Sequence, residues 1–277
     1  MAKSTALATT TADDTKSKLL AAYGGEQGET GYENLSGSDL SLPFLNVLQG
    51  ISPEVADNNP EGARAGMFIN SITKELVDGE KQGVVFQPVL TENKFVEWVP
   101  REKGGGWVAE YDPTDPYVRQ AQQYSAARNL DYGKIETENG NQLVETIYFY
   151  GHILDDSGED IQGFAVLSCT SMKIKPAKAF RTVMRTTLKG KIPLWGWRTR
   201  IFTVKEKNEK GTFHTIQFKP LSGNNWIDGA LLPDSPLYAE GKALREMIQA
   251  GKAKVDFSQQ AGAGTSGGHG ADDSVPF

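Results

Sequence analysis

The chain has 277 residues, of which 29 are basic and 35 acidic, and a formal net charge of −6, whereas nucleic-acid-binding domains are usually basic. Its single cysteine, Cys169, and its three widely separated histidines exclude a disulfide within the chain and a zinc site built on cysteines. No apolar run reaches the ~18–20 residues that span a bilayer, and the first residues lack the apolar core of a signal peptide, so we expect a cytoplasmic protein without a metal or cofactor.

Composition divides the chain into three predicted regions. Residues 1–38 are rich in Ala, Thr, Ser, Gly and Glu, which cannot bury a core, so we expect a flexible, disordered arm. Residues 39–257 form the predicted folded domain, which begins with the apolar segment 40–48. Residues 258–277 begin with a Gly-rich stretch that is typical of a flexible linker.

The first half of the predicted domain is dominated by strand signals. Short segments rich in β-branched and aromatic residues, bounded by Gly, Pro or Asn, predict strands at 67–72, 84–90, 95–99 and 107–111. The last two would form a hairpin across the glycines at 104–106. Asp115 and Pro116 then predict the N-cap and first turn of a helix that ends near Arg128.

The second half continues this mixture. Strands are predicted at 145–154 and 161–170, joined by a turn at 155–158, and a second hairpin at 194–205 and 212–219. Helices are predicted at 176–188, with Phe180, Val183, Met184 and Leu188 on one apolar stripe, and at 235–250. The domain is therefore mainly β with a few helices, and seven or more strands joined by hairpin turns predict a barrel or a sandwich.

Charge is distributed unevenly along the chain. Residues 161–205 contain ten Lys and Arg and no Asp or Glu. The window 171–220 holds thirteen basic residues and two acidic ones, a net of +11, which leaves −17 for the rest of a chain whose total is −6. A solvated surface usually mixes both signs, so this segregation indicates a surface that binds a polyanion.

Aromatic side chains are interleaved with these cations. If residues 194–204 form a strand, alternation places Trp195 and Trp197 on one face and Arg198, Arg200 and Phe202 on the other. Single-stranded nucleic acid is bound by this combination, because cations neutralise phosphates and flat rings stack on unpaired bases. The predicted phosphate-binding residues are Lys173, Lys175, Lys178, Arg181, Arg185, Lys189, Lys191, Arg198 and Arg200, and the predicted stacking residues are Trp195, Trp197 and Phe202. Alternation allows only one of the two strand faces to contact DNA, and the alternative is that the tryptophans are core residues.

The chain ends in an acidic and apolar segment. Asp272-Asp273-Ser274-Val275-Pro276-Phe277 resembles the acidic tip of bacterial single-stranded-DNA-binding proteins, which ends Asp-Asp-Asp-Ile-Pro-Phe. Ser274 replaces the third aspartate, which would weaken electrostatic steering. The resemblance covers only residues 258–277, because the body is much longer than in the bacterial proteins. The layout is closer to that of phage-encoded single-stranded-DNA-binding proteins.

The resemblance implies an oligonucleotide-binding (OB) β-barrel, here elaborated, that coats single-stranded DNA with little sequence specificity during replication, recombination or repair. The tip residues Asp272, Asp273, Pro276 and Phe277 would recruit replication and recombination proteins, and in that family the tip also competes with DNA for the basic groove. The alternative is a phage recombination mediator or a structural protein whose basic face binds duplex DNA or protein.

No catalytic set is visible in the sequence. The Gly-rich segment 24–31 lacks the Gly-Lys-Ser/Thr ending of a phosphate-binding loop. The carboxylates at 155–160 fit a solvated hairpin turn better than a metal site, and Cys169 lies in an apolar strand. We therefore expect no enzymatic activity. Trp98, Trp107, Tyr111 and Trp226 remain open as core residues or further stacking groups.

Overall fold

The computed structural model describes residues 42–130, 135–209 and 211–250, so the predicted arm and the acidic tip lie outside the described residues. The strands are β1 (Leu45–Val47), β2 (Phe68–Asn70), β3 (Leu76–Val77), β4 (Val84–Trp98), β5 (Trp107–Tyr111), β6 (Ile135–Glu136), β7 (Gln142–Leu154), β8 (Ile161–Thr170), β9 (Thr199–Asn208) and β10 (Gly211–Lys219). The α-helices are α1 (Pro53–Ala56), α2 (Pro116–Ala127), α3 (Ile174–Thr186) and α4 (Pro236–Gln249). Short 3-10 turns lie at Arg101–Lys103, Ser171–Lys173, Thr187–Gly190, Leu194–Gly196 and Trp226–Gly229. The prediction of a mainly β chain with a few helices is confirmed.

Strand β4 is the centre of a seven-stranded antiparallel sheet. One edge of β4 pairs with β7 along almost its whole length, and the other edge pairs first with β9 and then with β5. Strand β8 continues the sheet beyond β7, and β10 continues it beyond β9. The predicted strands 84–90 and 95–99 are thus one strand. The polar residues between them, Thr91 to Lys94, look like a turn in sequence but pair with β7.

The sheets do not close into the barrel expected from the number of hairpins. Strands β1, β2 and β3 form a separate three-stranded sheet. This small sheet and its flanking segments bond two strands of the large one, since the Val166 N–H of β8 donates to Pro43 O and the Thr203 N–H of β9 donates to Gly79 O, each at 2.8 Å. Isolated hydrogen bonds therefore take the place of the continuous strand pairing that an OB-type barrel requires.

Both faces of the β4–β7 pair are buried. Helix α3 covers one face, where the Phe180 ring stacks on Phe218 of β10 with 4.3 Å between centroids and lies 5.7 Å from Phe149 of β7. On the other face, Tyr148 and Tyr150 belong to a core cluster with residues of α4 and of the segment that precedes β1. The alternation of β7 thus supplies aromatic side chains to two separate cores.

Helix boundaries agree with the capping signals in one case and depart from them in another. The Asp115 carboxylate accepts a hydrogen bond from the Tyr117 N–H at 2.8 Å, as expected for the N-cap of α2. Helix α3, in contrast, begins at Ile174 and ends at Thr186, two residues before the predicted end. Leu188 consequently leaves the apolar stripe, and 48% of it is exposed.

One buried amide joins four elements. The Gln87 side chain of β4 is fully buried, and its Nε2 donates to the carbonyl oxygens of Trp195 and Leu237, each at 2.8 Å. Its Oε1 lies 2.9 Å from Nδ1 of His152 in β7. Because Nε2 is the donor to both carbonyls, Oε1 accepts, and the His152 proton lies on Nδ1. Gln87 therefore ties β4 to β7, to the turn Leu194–Gly196 and to the start of α4.

We predict that Gln87→Leu lowers the free energy of unfolding by about 3 kcal/mol, because the Trp195 carbonyl oxygen and the His152 ring N–H lose their side-chain partner in the interior. The matched control is Gln217→Leu, on an exposed position of β10, which should change stability by less than about 0.5 kcal/mol. Urea denaturation followed by circular dichroism measures both. Equal effects of the two substitutions would contradict the role of Gln87.

His152 makes stability depend on pH. Burial lowers its pKa from 6.5 to about 4, so the folded state binds fewer protons than the unfolded state between these values. The stability that neutral His152 contributes is complete above pH 6.5. It is lost as the pH falls towards 4, by about 3 kcal/mol at most. Burial also raises the pKa of Glu110 to about 7, which has the opposite slope. The measurement is therefore the difference in free energy of unfolding between wild type and His152→Asn. As the pH falls, the variant should become more stable relative to wild type. A difference in free energy of unfolding that does not change with pH would contradict the lowered pKa of His152.

Candidate nucleic-acid interface

The two arginines around the start of β9 bind other parts of the protein. The Arg198 Nη1 donates to Gly158 O at 2.9 Å and to Glu159 Oε1 at 2.6 Å. The Arg200 guanidinium donates to Asp156 Oδ1 at 3.0 Å and to Asp156 O at 2.8 Å. Both arginines thus bind the turn between β7 and β8, and the structure compensates them with acids that lie about forty positions away in sequence.

This turn is itself well ordered by hydrogen bonds. The Asp155 carboxylate accepts from Ser157 Oγ at 2.6 Å and from the backbone N–H groups of Glu159 and Asp160 at 2.9 and 3.0 Å. Burial opposes ionisation of this carboxyl, but the hydrogen bonds outweigh it and lower the pKa of Asp155 to about 2. The acidic turn is therefore a structural partner of β9, in line with its prediction as a hairpin turn.

The predicted stacking residues are dispersed. Strand β9 begins at Thr199, and Trp195 lies in the preceding 3-10 turn, half-buried, with Arg245 over its ring at 4.9 Å. Trp197 is 0% exposed and belongs to the main core, so in this fold it cannot stack on a base. Phe202 is half-buried beneath the Lys219 ammonium, which lies 4.7 Å from its ring centroid. From Trp197 onward the predicted alternation holds, with Trp197, Thr199 and Ile201 buried.

The remaining predicted cations lie together on α3 and on the turn that follows it. We call the exposed residues Lys175, Lys178, Arg185, Lys189 and Lys191 the α3 basic surface. Lys178 forms an ion pair with Glu145 at 2.8 Å, between two partly exposed side chains. The other four have no acidic partner among the residues that the structure describes.

Two more predicted cations lie closer to the sheet. The Arg181 Nε donates to Thr91 Oγ1 at 2.9 Å, and its guanidinium also bonds Asn93 and lies 5.5 Å from the Phe149 ring centroid. Burial lowers the pKa of both Arg181 and Lys173. Burial also raises the pKa of the neighbouring Cys169 thiol to about 12, which agrees with its prediction as a core residue. These groups lie on the side of α3 that faces the sheet.

The end of α3 has an unusual backbone. The Thr187 Oγ1 donates to Val183 O at 2.7 Å and the Thr186 Oγ1 donates to Thr182 O at 2.8 Å, so hydroxyl groups bond the last turn. Leu188 and Lys189 then adopt left-handed conformations, with φ of 49° and 58°. Each costs about 1–2 kcal/mol for a residue with a side chain. Gly190 follows with φ of 67°, and a Cβ there would lie 2.6 Å from Arg185 O.

Trp226 is the aromatic residue that the fold brings to α3. It lies in a 3-10 turn, its ring centroid is 5.7 Å from that of Phe180, and it is half-buried against the main core together with Val183 and Ile192. Sequence reasoning left Trp226 open between core and stacking roles. Its distance of 46 positions from Phe180 hides this proximity, which no local pattern reveals.

Other kinds of site are not evident in the described residues. None of the described His, Cys, Asp and Glu residues form a group of three or more that could hold a metal ion. Among the helices of residues 42–130, 135–209 and 211–250, none is long and apolar enough to cross a membrane.

The described residues form a mainly β protein in which four of the five cations of the α3 basic surface have no acidic partner. Residues 12–254 match a family model described as Pam3 phage gp34-like protein. The chain therefore belongs to the Pam3 phage gp34-like family. No curated protein and no solved structure matches the chain. The family indicates a phage protein.

The structural role of Arg198 leads to a prediction. Arg198→Ala should lower the free energy of unfolding by about 2 kcal/mol, because Gly158 O loses a charged donor in a buried position. Arg185→Ala removes an exposed guanidinium without an acidic partner in the described chain, so it should change stability by less than about 0.5 kcal/mol. Urea denaturation compares the two variants. Similar losses would show that Arg198 is not a structural residue.

Proposed function

We propose that this protein binds single-stranded DNA, without chemistry and with little sequence preference, through the α3 basic surface. The observation that carries the proposal is the set of four exposed cations, Lys175, Arg185, Lys189 and Lys191, which have no acidic partner in the described residues. Exposed cations without acidic partners attract phosphates, and the counterions released on binding favour the complex.

The preference for a single strand rests on the aromatic neighbour. Trp226 is half-buried, so part of this residue is open to solvent, and its ring centroid lies 5.7 Å from that of Phe180 on α3. An unpaired base can stack on such a ring, with about 1–3 kcal/mol per base, whereas paired bases in a duplex are already stacked. Membership of a phage family agrees with a role in phage DNA replication, recombination or repair.

The acidic tip completes the proposal. Asp272, Asp273, Pro276 and Phe277 would recruit a replication or recombination protein of the host or the phage, because an aromatic ring and two acids suit capture by a basic pocket. The second candidate function is that of a recombination mediator or structural protein whose basic surface binds duplex DNA or protein. The exposed cations support this second function as well as the first, whereas Trp226 supports only the first.

The test is charge reversal with a matched control. Lys175→Glu/Arg185→Glu should weaken binding to a fluorescein-labelled oligo(dT) at least tenfold and reduce the slope of log K against log salt by about 2, because two phosphate contacts are lost. Lys81→Glu/Arg119→Glu makes the same change of charge at exposed positions elsewhere and should have a much smaller effect. Fluorescence anisotropy at several salt concentrations measures both.

Two outcomes would overturn the proposal. Equal weakening by the two double variants would mean that only net charge matters. Binding of duplex DNA as tight as that of the single strand would favour the second candidate function. Circular dichroism melts of all variants confirm that a loss of binding is not a loss of folding.

A further inference from the structure

The turn after α3 presents an apolar side chain in the middle of the basic surface. Leu188 is 48% exposed, although its spacing from Phe180 and Met184 would bury it if α3 continued. Leu188 does not belong to any of the core clusters of the described residues or to the side chains packed against them. A partner that covered this exposed leucine would therefore gain solvation free energy.

The backbone keeps Leu188 in that position. Leu188, Lys189 and Gly190 form a left-handed turn, which a branched aliphatic residue rarely adopts. The Thr187 hydroxyl bonds Val183 O on one side of the turn, and the Lys191 N–H bonds Leu188 O on the other. Strain of this kind persists only where the surrounding structure enforces it, and it is concentrated at functional sites.

The charged residues next to Leu188 indicate which kind of partner it contacts. Arg185, Lys189 and Lys191 are all exposed, and no acid pairs with them in the described chain. A single leucine buries too little surface to hold a protein on a membrane. An apolar side chain between cations fits a nucleic acid instead, because the cations can hold phosphates while the side chain enters between two bases, as apolar wedges do in other DNA-binding proteins.

We infer that Leu188 is a wedge that inserts between adjacent bases of the bound strand and separates them. This inference rests on the proposed function and deepens it, because it names the residue that contacts bases and the change that it makes in the DNA. Binding would then unstack the strand at one step rather than follow its backbone passively.

The experiment uses the full chain and an adenine-rich oligonucleotide with one 2-aminopurine, whose fluorescence rises when its neighbours unstack. We expect wild type to raise the fluorescence. Leu188→Ala should remove most of that rise and weaken binding about fivefold, with an unchanged salt slope because the cations remain. Leu232→Ala, at a leucine that is 71% exposed elsewhere, is the matched control and should behave as wild type.

A second variant separates the wedge from folding. Asparagine accepts the left-handed conformation more readily than leucine. Leu188→Asn should therefore melt at the same or a higher temperature than wild type, yet it should lose the fluorescence rise. A variant that is more stable but no longer unstacks bases cannot be explained by misfolding.

The outcomes distinguish the wedge from the proposed function. If wild type binds the oligonucleotide but Leu188→Ala leaves the 2-aminopurine signal unchanged, the wedge is overturned and the proposed function stands. If wild type does not bind in the anisotropy assay, both fail. Binding to anionic phosphatidylserine vesicles that is lost in Leu188→Ala, without a 2-aminopurine signal, would assign the leucine to a membrane surface and overturn the wedge.

Discussion

The buried amide of Gln87 is the constraint on which the rest of the fold depends. An amide in the core must satisfy both its donor and its acceptor groups, and this one does so with His152, Trp195 and Leu237. Helix α4 can approach it only because residue 241 is a glycine, where a Cβ would lie 2.5 Å from Gln87 Nε2. The same amide fixes the turn Leu194–Gly196, while the packing of Phe180 fixes α3. The segment between them, which carries part of the basic surface, is thus anchored at both ends.

The charge segregation in the sequence is only partly a segregation in space. The two cations around the start of β9, Arg198 and Arg200, meet the acids of the turn between β7 and β8. Those of α3 and the following turn have, apart from Lys178, no such partners in the described chain. A net charge counted over a window of sequence therefore overstates the free charge, because side chains that are far apart in sequence neutralise each other. The uncompensated part is smaller than the window suggested, because Lys178, Arg198 and Arg200 are paired with acids.

Local rules predicted the elements that local chemistry determines. Asp115 and Pro116 located the start of α2, and the turn 155–158 located the β7–β8 hairpin. Strand β4 was divided in two because its polar middle is stabilised by a partner strand rather than by its own pattern. Periodicity predicts Leu188 on the apolar stripe of the helix, because periodicity alone does not reveal where a helix ends. The role of Trp197 as core and the proximity of Trp226 to α3 depend on packing between distant segments, which no spacing in the sequence encodes.

Strand β4 changes its partner along its length, so different elements hold its two ends. Its first residues pair with β9, while its last residues pair with β5 and pack with α2 through a small separate cluster around Phe95 and Val118. Between them, the register shifts at Pro88 and Leu90, which interrupts the ladder with β7. We expect the end with β5 and α2 to open by local unfolding while the β9 end stays folded. The contact between Phe180 and Phe218 belongs to the β9 end, so α3 would keep its position through such an opening.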